Sequence, residues 1–208
     1  MDLKLFYTGP MQVNTYLCVD EATKKGFIVD PGGPSKNLEN YIDSNEYEIE
    51  YIIVTHGHGD HICGVPHYKE LYNAPIVANS ADNLYFTNAA LNQSRAFTGR
   101  VIEFTPDIDI KDGETLQVGG MTLQFMETPG HSPGGICVLV DNVLFSGDTL
   151  FQMSIGRTDF NGGSFSELKE SVHTKLFTLP DDTFVLPGHM GQTQIGYEKK
   201  HNPFVALG

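Results

Sequence analysis

Basic residues are scarce in this chain. Lys and Arg together number 13 against 26 Asp and Glu, giving a formal net charge of −13 over 208 residues. Such acidity repels phosphate backbones and anionic headgroups, which argues against nucleic acid or a membrane surface as partner and leaves a small-molecule substrate. Cysteine is scarce as well. Cys18, Cys63 and Cys137 are odd in number and far apart, with no Cys-x-x-Cys pair. A disulfide framework is therefore not expected, and a reducing, cytoplasmic compartment is. No apolar run approaches the ~20 residues that cross a bilayer. The opening MDLKLFYTGP lacks a basic region followed by a long apolar stretch, so no signal peptide is predicted. Low-complexity segments and linkers are missing too. The hydrophobic fraction of 40% and charged fraction of 19% are those of a folded globular chain. The length suits a single domain spanning residues 1–208.

What is present is a succession of short apolar or alternating runs, each closed by Gly, Pro, Asp or Asn. DLKLFY (2–7), VNTYLCV (13–19) and GFIVD (26–30) predict strands, and PGGPS (31–35) the turn out of the third. Ser35 is placed to cap a helix over KNLENYIDS, where Leu38, Tyr41 and Ile42 fall at helical spacing. YIIV (51–54) is too short for a helix and reads as a buried strand. Beyond it, Val65, Tyr68, Leu71 and Tyr72 mark another helix. The second half repeats the theme, with strands near 115–118, 121–127, 136–140 and 143–146, a helix near 165–177, a strand at 183–186 and a helix near 192–200. VGGM and VDNV punctuate hairpins. Residues 81–100 read as helix plus mobile loop. Both halves run from strands to helix, so the fold class is α+β with two similar sheet-plus-helix layers.

Between YIIV and the next helix stands THGHGDH (55–61), three histidines and an aspartate in one loop. Imidazole and carboxylate are the ligands of zinc, iron and manganese. In an extended segment His56 and His58, at i and i+2, point to the same side and reach one ion. Gly57 and Gly59 allow the loop to curl, and Asp60 and His61 then face elsewhere, toward a second ion. Further ligands must come from other stretches. TPGHSPGG offers His131, FSGDTLF offers Asp148 and VLPGHMG offers His189, each just past a strand end and flanked by glycine. His67, His173 and His201 lie on predicted helices and read as bystanders.

In this order, THGHGDH, TPGHSPGG, FSGDTLF and PGHMGQT resemble the metallo-β-lactamase superfamily, and within it the short glyoxalase II-like hydrolases. The resemblance implies an αββα four-layer sandwich with a dinuclear metal site at one edge. It implies that His56, His58 and His131 hold a first metal, that Asp60, His61 and His189 hold a second, and that Asp148 bridges them. The cofactors are then two divalent ions, zinc foremost, with iron or manganese as alternatives. Two such ions share a water and lower its pKa toward ~7, and Asp60 orients the resulting hydroxide for attack on a carbonyl.

Small thioesters are the expected substrates. Glyoxalase II proper carries an added C-terminal helical region that binds the glutathione moiety, whereas this chain ends at Gly208. The readings on the same scaffold that remain open are a lactonase, a β-lactamase, and a persulfide dioxygenase with one iron on His56, His131 and Asp148. GRTD (156–159) reads equally as an Arg157–Asp159 brace or as a substrate contact. Lys199 and Lys200 are candidate anchors for an anionic group, with solvated charge as the simpler reading.

Overall fold

Strand β2 (Val13–Asp20) is apolar on both faces, and this sets the layering of the whole molecule. Tyr16 and Cys18 point into an interior shared by two sheets, while Leu17 and Val19 point the other way, under helices. The structure is a computed structural model and describes residues 1–207.

The first sheet runs β1 (Asp2–Thr8), β2, β3 (Lys25–Val29), β4 (Glu48–Ile53), β5 (Ile76–Ala78) and β6 (Ile108–Asp109), adjacent in that order. β1 to β3 are antiparallel, and β3 to β6 parallel. Parallel neighbours need crossovers. Helices α1 (Lys36–Asn45) and α3 (Val65–Tyr72) supply two of them and bury Leu38, Ile42, Val65 and Tyr68 against the outer face. The short helix α2 (Gly59–Ile62) precedes α3.

The second sheet has the order β14 (Thr193–Gln194), β13 (Phe184–Pro187), β10 (Val143–Gly147), β9 (Ile136–Val140), β8 (Met121–Glu127) and β7 (Thr115–Val118). Helix α7 (Phe165–Thr174) connects the parallel pair β10 and β13. It packs with α8 (Ile195–His201) on the outer face, where Met126, Leu144, Val172 and Ile195 share a second apolar layer. Between the sheets Phe145 meets Tyr16 and Phe27 edge-on, with ring centroids 5.4 and 5.8 Å apart. Such pairs add ~0.5–1.5 kcal/mol each beyond the area they bury. The result is the expected helix, sheet, sheet, helix sandwich.

Local outcomes follow the sequence in most places. Ser35 caps α1 by accepting from the Leu38 amide, both predicted hairpins form, and the three cysteines are free and buried. Four readings change. The strand at YIIV begins earlier, at Glu48, because it pairs along β3. GDHI is a helical turn rather than loop. Residues 81–100 form three short helices, α4 (Asn83–Phe86), α5 (Ala89–Asn92) and α6 (Ser94–Thr98), instead of one helix and a loop. The last helix starts at Ile195, since Thr193 and Gln194 pair with β13. The two-residue strands β11 (Leu150–Phe151) and β12 (Ser154–Ile155) form a small hairpin of their own. No described helix is long and apolar enough to cross a membrane.

Candidate metal centre

The carboxyl ends of β3, β4, β10 and β13 open onto one edge of the sandwich, and every predicted ligand is found there. From β4 the chain passes through His56 and His58 into α2. His131 arrives on the connection between β8 and β9. Its Nε2 lies 2.9 Å from His58 Nδ1 and 3.2 Å from His56 Nε2. All three rings are buried. Contacts behind them fix the tautomers. His131 Nδ1 donates to the Arg157 carbonyl at 2.7 Å. Thr55 Oγ1 donates to Asp30 at 2.6 Å and so accepts from His56 Nδ1 at 3.1 Å. Both Nε2 atoms therefore present lone pairs to one another, an arrangement that repels unless a cation lies between them. Burial, reinforced by neighbouring imidazoles, lowers the His56 pKa well below its ordinary value. Burial and His131 lower that of His58 to about 3. Neutral imidazole is the form that ligates.

The second set lies alongside. His189 Nε2 is 3.2 Å from Asp60 Oδ2, and His61 Nε2 is 3.8 Å from the same oxygen. Asp148 stands between the sets, with Oδ1 3.4 Å from His61 Nε2 and Oδ2 3.6 Å from His131 and 3.7 Å from His189. His61 Nε2, His58 Nε2 and Asp148 Oδ1 are buried without a hydrogen-bond partner. Buried polar atoms normally have one. Although burial disfavours its charged form, the carboxylates of Asp148, Asp60 and Asp30 raise the His61 pKa well above its ordinary value. Burial likewise opposes ionisation of Asp148, yet His61, His131 and His189 hold it far below the usual carboxylate range. Three carboxylates, Asp30, Asp60 and Asp148, thus crowd around His61, a setting that favours positive charge. Three donor groups have spacing that could hold an ion: His56–His58–His131, Asp60–His61–His189 and, behind them, Asp30–His56–His61. The donors are His and Asp, suited to a divalent ion.

Two glycines are required by close approach. A Cβ on Gly57 would sit 2.4 Å from Tyr85 Cβ, and one on Gly188 would sit 2.4 Å from His61 Cε1 and 2.6 Å from Asp148 Oδ1. Neither Gly57 nor Gly59 adopts a positive φ, so the loop needs their small size and not, as the sequence suggested, unusual dihedrals. His67, His173 and His201 stay outside the centre. His67 pairs with Glu39, His173 with the Val205 carbonyl, and His201 lies against Tyr197.

Two supporting carboxylates escaped the sequence reading. Asp30, at the end of β3, accepts from His61 Nδ1 at 2.9 Å and from the Thr55 amide and hydroxyl at 2.7 and 2.6 Å. It occupies left-handed backbone, φ 48°, and its setting after an apolar strand matches that of Asp148, a signal that was available. Asp82 accepts from the Gly57 amide at 2.9 Å, Ser132 Oγ at 2.7 Å and the Gly134 amide at 2.6 Å. It ties the His56–His58 loop to the His131 loop, and nothing in its local sequence marks it. Burial raises its pKa, against the pull of these donors.

Above the centre is a cleft of about 490 Å³ reached by His58, Asp60, His131, Asp148 and His189. Its walls include Phe97 of α6 and Arg157 and Phe160 of the GRTDF loop. Helix α8 is a correction: none of it lines the cleft, and Lys199 is engaged by Asp181 and the Leu179 carbonyl. Arg157 forms the brace, donating to both Asp159 oxygens at 2.7 Å while stacking 4.0 Å over Phe160.

Comparison with known proteins agrees with this fold. Hydroxyacylglutathione hydrolase GloC of Haemophilus influenzae is 34% identical over 209 residues, covering 99% of this chain and 98% of that protein. The crystal structure of the BLEG-1 B3 metallo-beta-lactamase superimposes with a TM-score of 0.91 at 36% identity, over 99% of this chain and all of that one. TTHA1623 in a di-iron-bound form gives 0.84 at 31%, covering 97% and 99%. ETHE1 from Myxococcus xanthus gives 0.81 at 29%, covering 99% and 85%. Residues 8–189 match the sequence profile of the metallo-beta-lactamase superfamily. With fold, relatives and profile in agreement, the chain belongs to that superfamily.

Proposed function

We propose that the protein is a metal-dependent hydrolase of small thioesters that works with two divalent ions, zinc in this reading. His56, His58 and His131 hold the first ion, Asp60, His61 and His189 the second, and Asp148 serves both. One observation carries the proposal. Five of the seven donors, His58, Asp60, His131, Asp148 and His189, line the floor of a cleft whose described lining contains no Ser, Thr, Cys or Lys side chain, with His56 and His61 buried behind them. Water is then the available nucleophile. Two cations held there would polarise a carbonyl and acidify that water. The chain's own groups do the rest. Asp30 and the Arg157 carbonyl fix the His61 and His131 rings from behind. Asp60 is held ionised, since His61 and its bond to His189 outweigh burial. Its contacts run through Oδ2, which leaves Oδ1 to accept a hydrogen bond from a water in the cleft and orient it. The H. influenzae relative is named for a hydrolase of this kind, and the di-iron form of TTHA1623 supports two ions per site. A thioester carbonyl has less resonance stabilisation than an ester or amide and asks less of remote binding.

A second reading, a persulfide dioxygenase with one iron on His56, His131 and Asp148, finds support in the 3.6 Å approach of His131 to Asp148. Elemental analysis, with a panel of lactoyl-glutathione, a shorter thioester, a homoserine lactone, a chromogenic β-lactam and glutathione persulfide, separates the two. About two metal ions per chain and thioester cleavage are expected. One iron, with oxygen uptake on the persulfide, overturns the hydrolase.

A further inference from the structure

The walls of the cleft differ in character from its floor. Met11 from the turn between β1 and β2, Phe97 of α6, Phe151 and Ile155 of the small hairpin, Phe160 and Met190 face the same space. Met11 and Met190 are 51% and 57% exposed, apolar surface at the mouth that no part of the described chain covers. Arg157 is the one Lys or Arg among the described lining residues. The Nε–Nη2 edge of its guanidinium is taken up by the Asp159 carboxylate, and its face lies on Phe160. Apart from that paired guanidinium the described walls carry no cationic side chain, in a chain whose net charge is −13.

Resting on the thioester reading, we infer that the substrates are thioesters of apolar, uncharged acyl groups carried on a neutral thiol. Water's oxygen bonds to the acyl carbon, the C–S bond breaks, and the products are the carboxylic acid and the thiol, which takes up a proton. Thioethers and aromatic rings suit such a ligand, because methionine adapts its shape to chains of different length. A glutathionyl carrier would bring two carboxylates toward a wall whose guanidinium is already neutralised, and burying unpaired charge is costly.

The test uses the metal-loaded protein with acetyl, butyryl and hexanoyl thioesters of N-acetylcysteamine and matched glutathione thioesters. Transfer of one methylene from water to an apolar site favours binding by roughly fourfold when burial is complete. In a half-open cleft kcat/KM is expected to rise about twofold per methylene, mostly through KM. The N-acetylcysteamine hexanoyl ester should exceed its glutathione counterpart. Phe97→Ala should flatten the chain-length series. Asp159→Asn, which frees Arg157, should narrow the gap between the two carriers. Calorimetry with the non-hydrolysable S-hexyl thioethers of both thiols reads binding without turnover, and a negative heat-capacity change for the neutral ligand marks apolar burial. Preference for the glutathione carrier, or a flat series in the wild-type protein, overturns the inference and leaves the hydrolase standing. Cleavage of no thioester removes both.

Discussion

Asp82 is the residue whose removal says most about how this centre is held. Its side chain is fully buried, and its carboxylate accepts from two backbone amides and one hydroxyl, on segments that carry His56, His58 and His131. In Asp82→Ala the Gly57 and Gly134 amides lose their acceptor, while the Ser132 hydroxyl can rotate. A stranded buried donor costs about 1–3 kcal/mol. The variant is also relieved of a buried carboxylate, the burden that raises the Asp82 pKa. A net loss of about 3 kcal/mol follows from two donors at mid-range, less part of that relief. For a chain of this size that is about 6–12 °C in Tm. The same loosening lets the two loops drift apart, and outer-shell changes of this kind weaken metal binding by about 10–100-fold. Thermal melts and competition with a chelator measure the two effects. Asp82→Asn, which keeps one accepting oxygen but turns an amide N–H toward a donor, should fall between wild type and Asp82→Ala in both. A Tm drop below about 2 °C together with unchanged metal affinity in Asp82→Ala would refute the coupling.

His58→Ala and Asp60→Ala should each abolish hydrolysis and lower the metal content while leaving the far-UV circular dichroism intact. His67→Ala, whose ring lies away from the centre against Tyr68 and the Glu39 carboxylate, should keep wild-type activity. Asp30→Asn should cost about 10–100-fold in metal affinity, because the His61 ring loses the carboxylate behind it; competition titration reads it, and an unchanged constant would show that Asp30 is not needed. The Asp159 carboxyl, hydrogen-bonded by Arg157, should titrate at about 2, below its ordinary value of 3.8, and should return toward that value in Arg157→Ala. Carboxyl-carbon NMR over acid pH reads both midpoints, and equal values would remove the brace in solution.

How much of this was legible before the structure depends on whether the information is local. The strands at 13–19 and 136–140 and the helix after Ser35 follow from alternation, helical spacing and a cap, all within a dozen residues, and they form. The convergence of the candidate metal donors was legible for a related reason. Each sits just past an apolar strand among glycines, and the fold gathers those strand ends at one edge. GDHI was misread because the same glycines that signal a loop also permit a tight helical turn packed against Asn92 and Ser94. Residues 81–100 break into three short helices because Asn88 and Gln93 stop and restart the chain. Asn88 caps α5 with its side chain, and Gln93 takes a positive φ of 62°.

Asp82 shows where such reading ends. Its partners lie 25, 50 and 52 residues away, and no spacing rule connects it to the histidines it supports. Asp30 and Asp148 stand at equivalent strand ends, yet one supports a histidine from behind and the other faces the donors. That difference comes from which way each carboxylate points after its strand, a tertiary fact. The cleft walls are more dispersed still. Met11, Phe97, Phe151, Phe160 and Met190 come from five separate segments. Each is an ordinary apolar residue in its own context, and together they form a surface only when both halves of the sandwich close. Metal binding can be written in a short motif because its donors need fixed, close spacing. Substrate preference is written in loops that meet only in the folded chain, so its test is the acyl-chain series rather than further inspection of the motif.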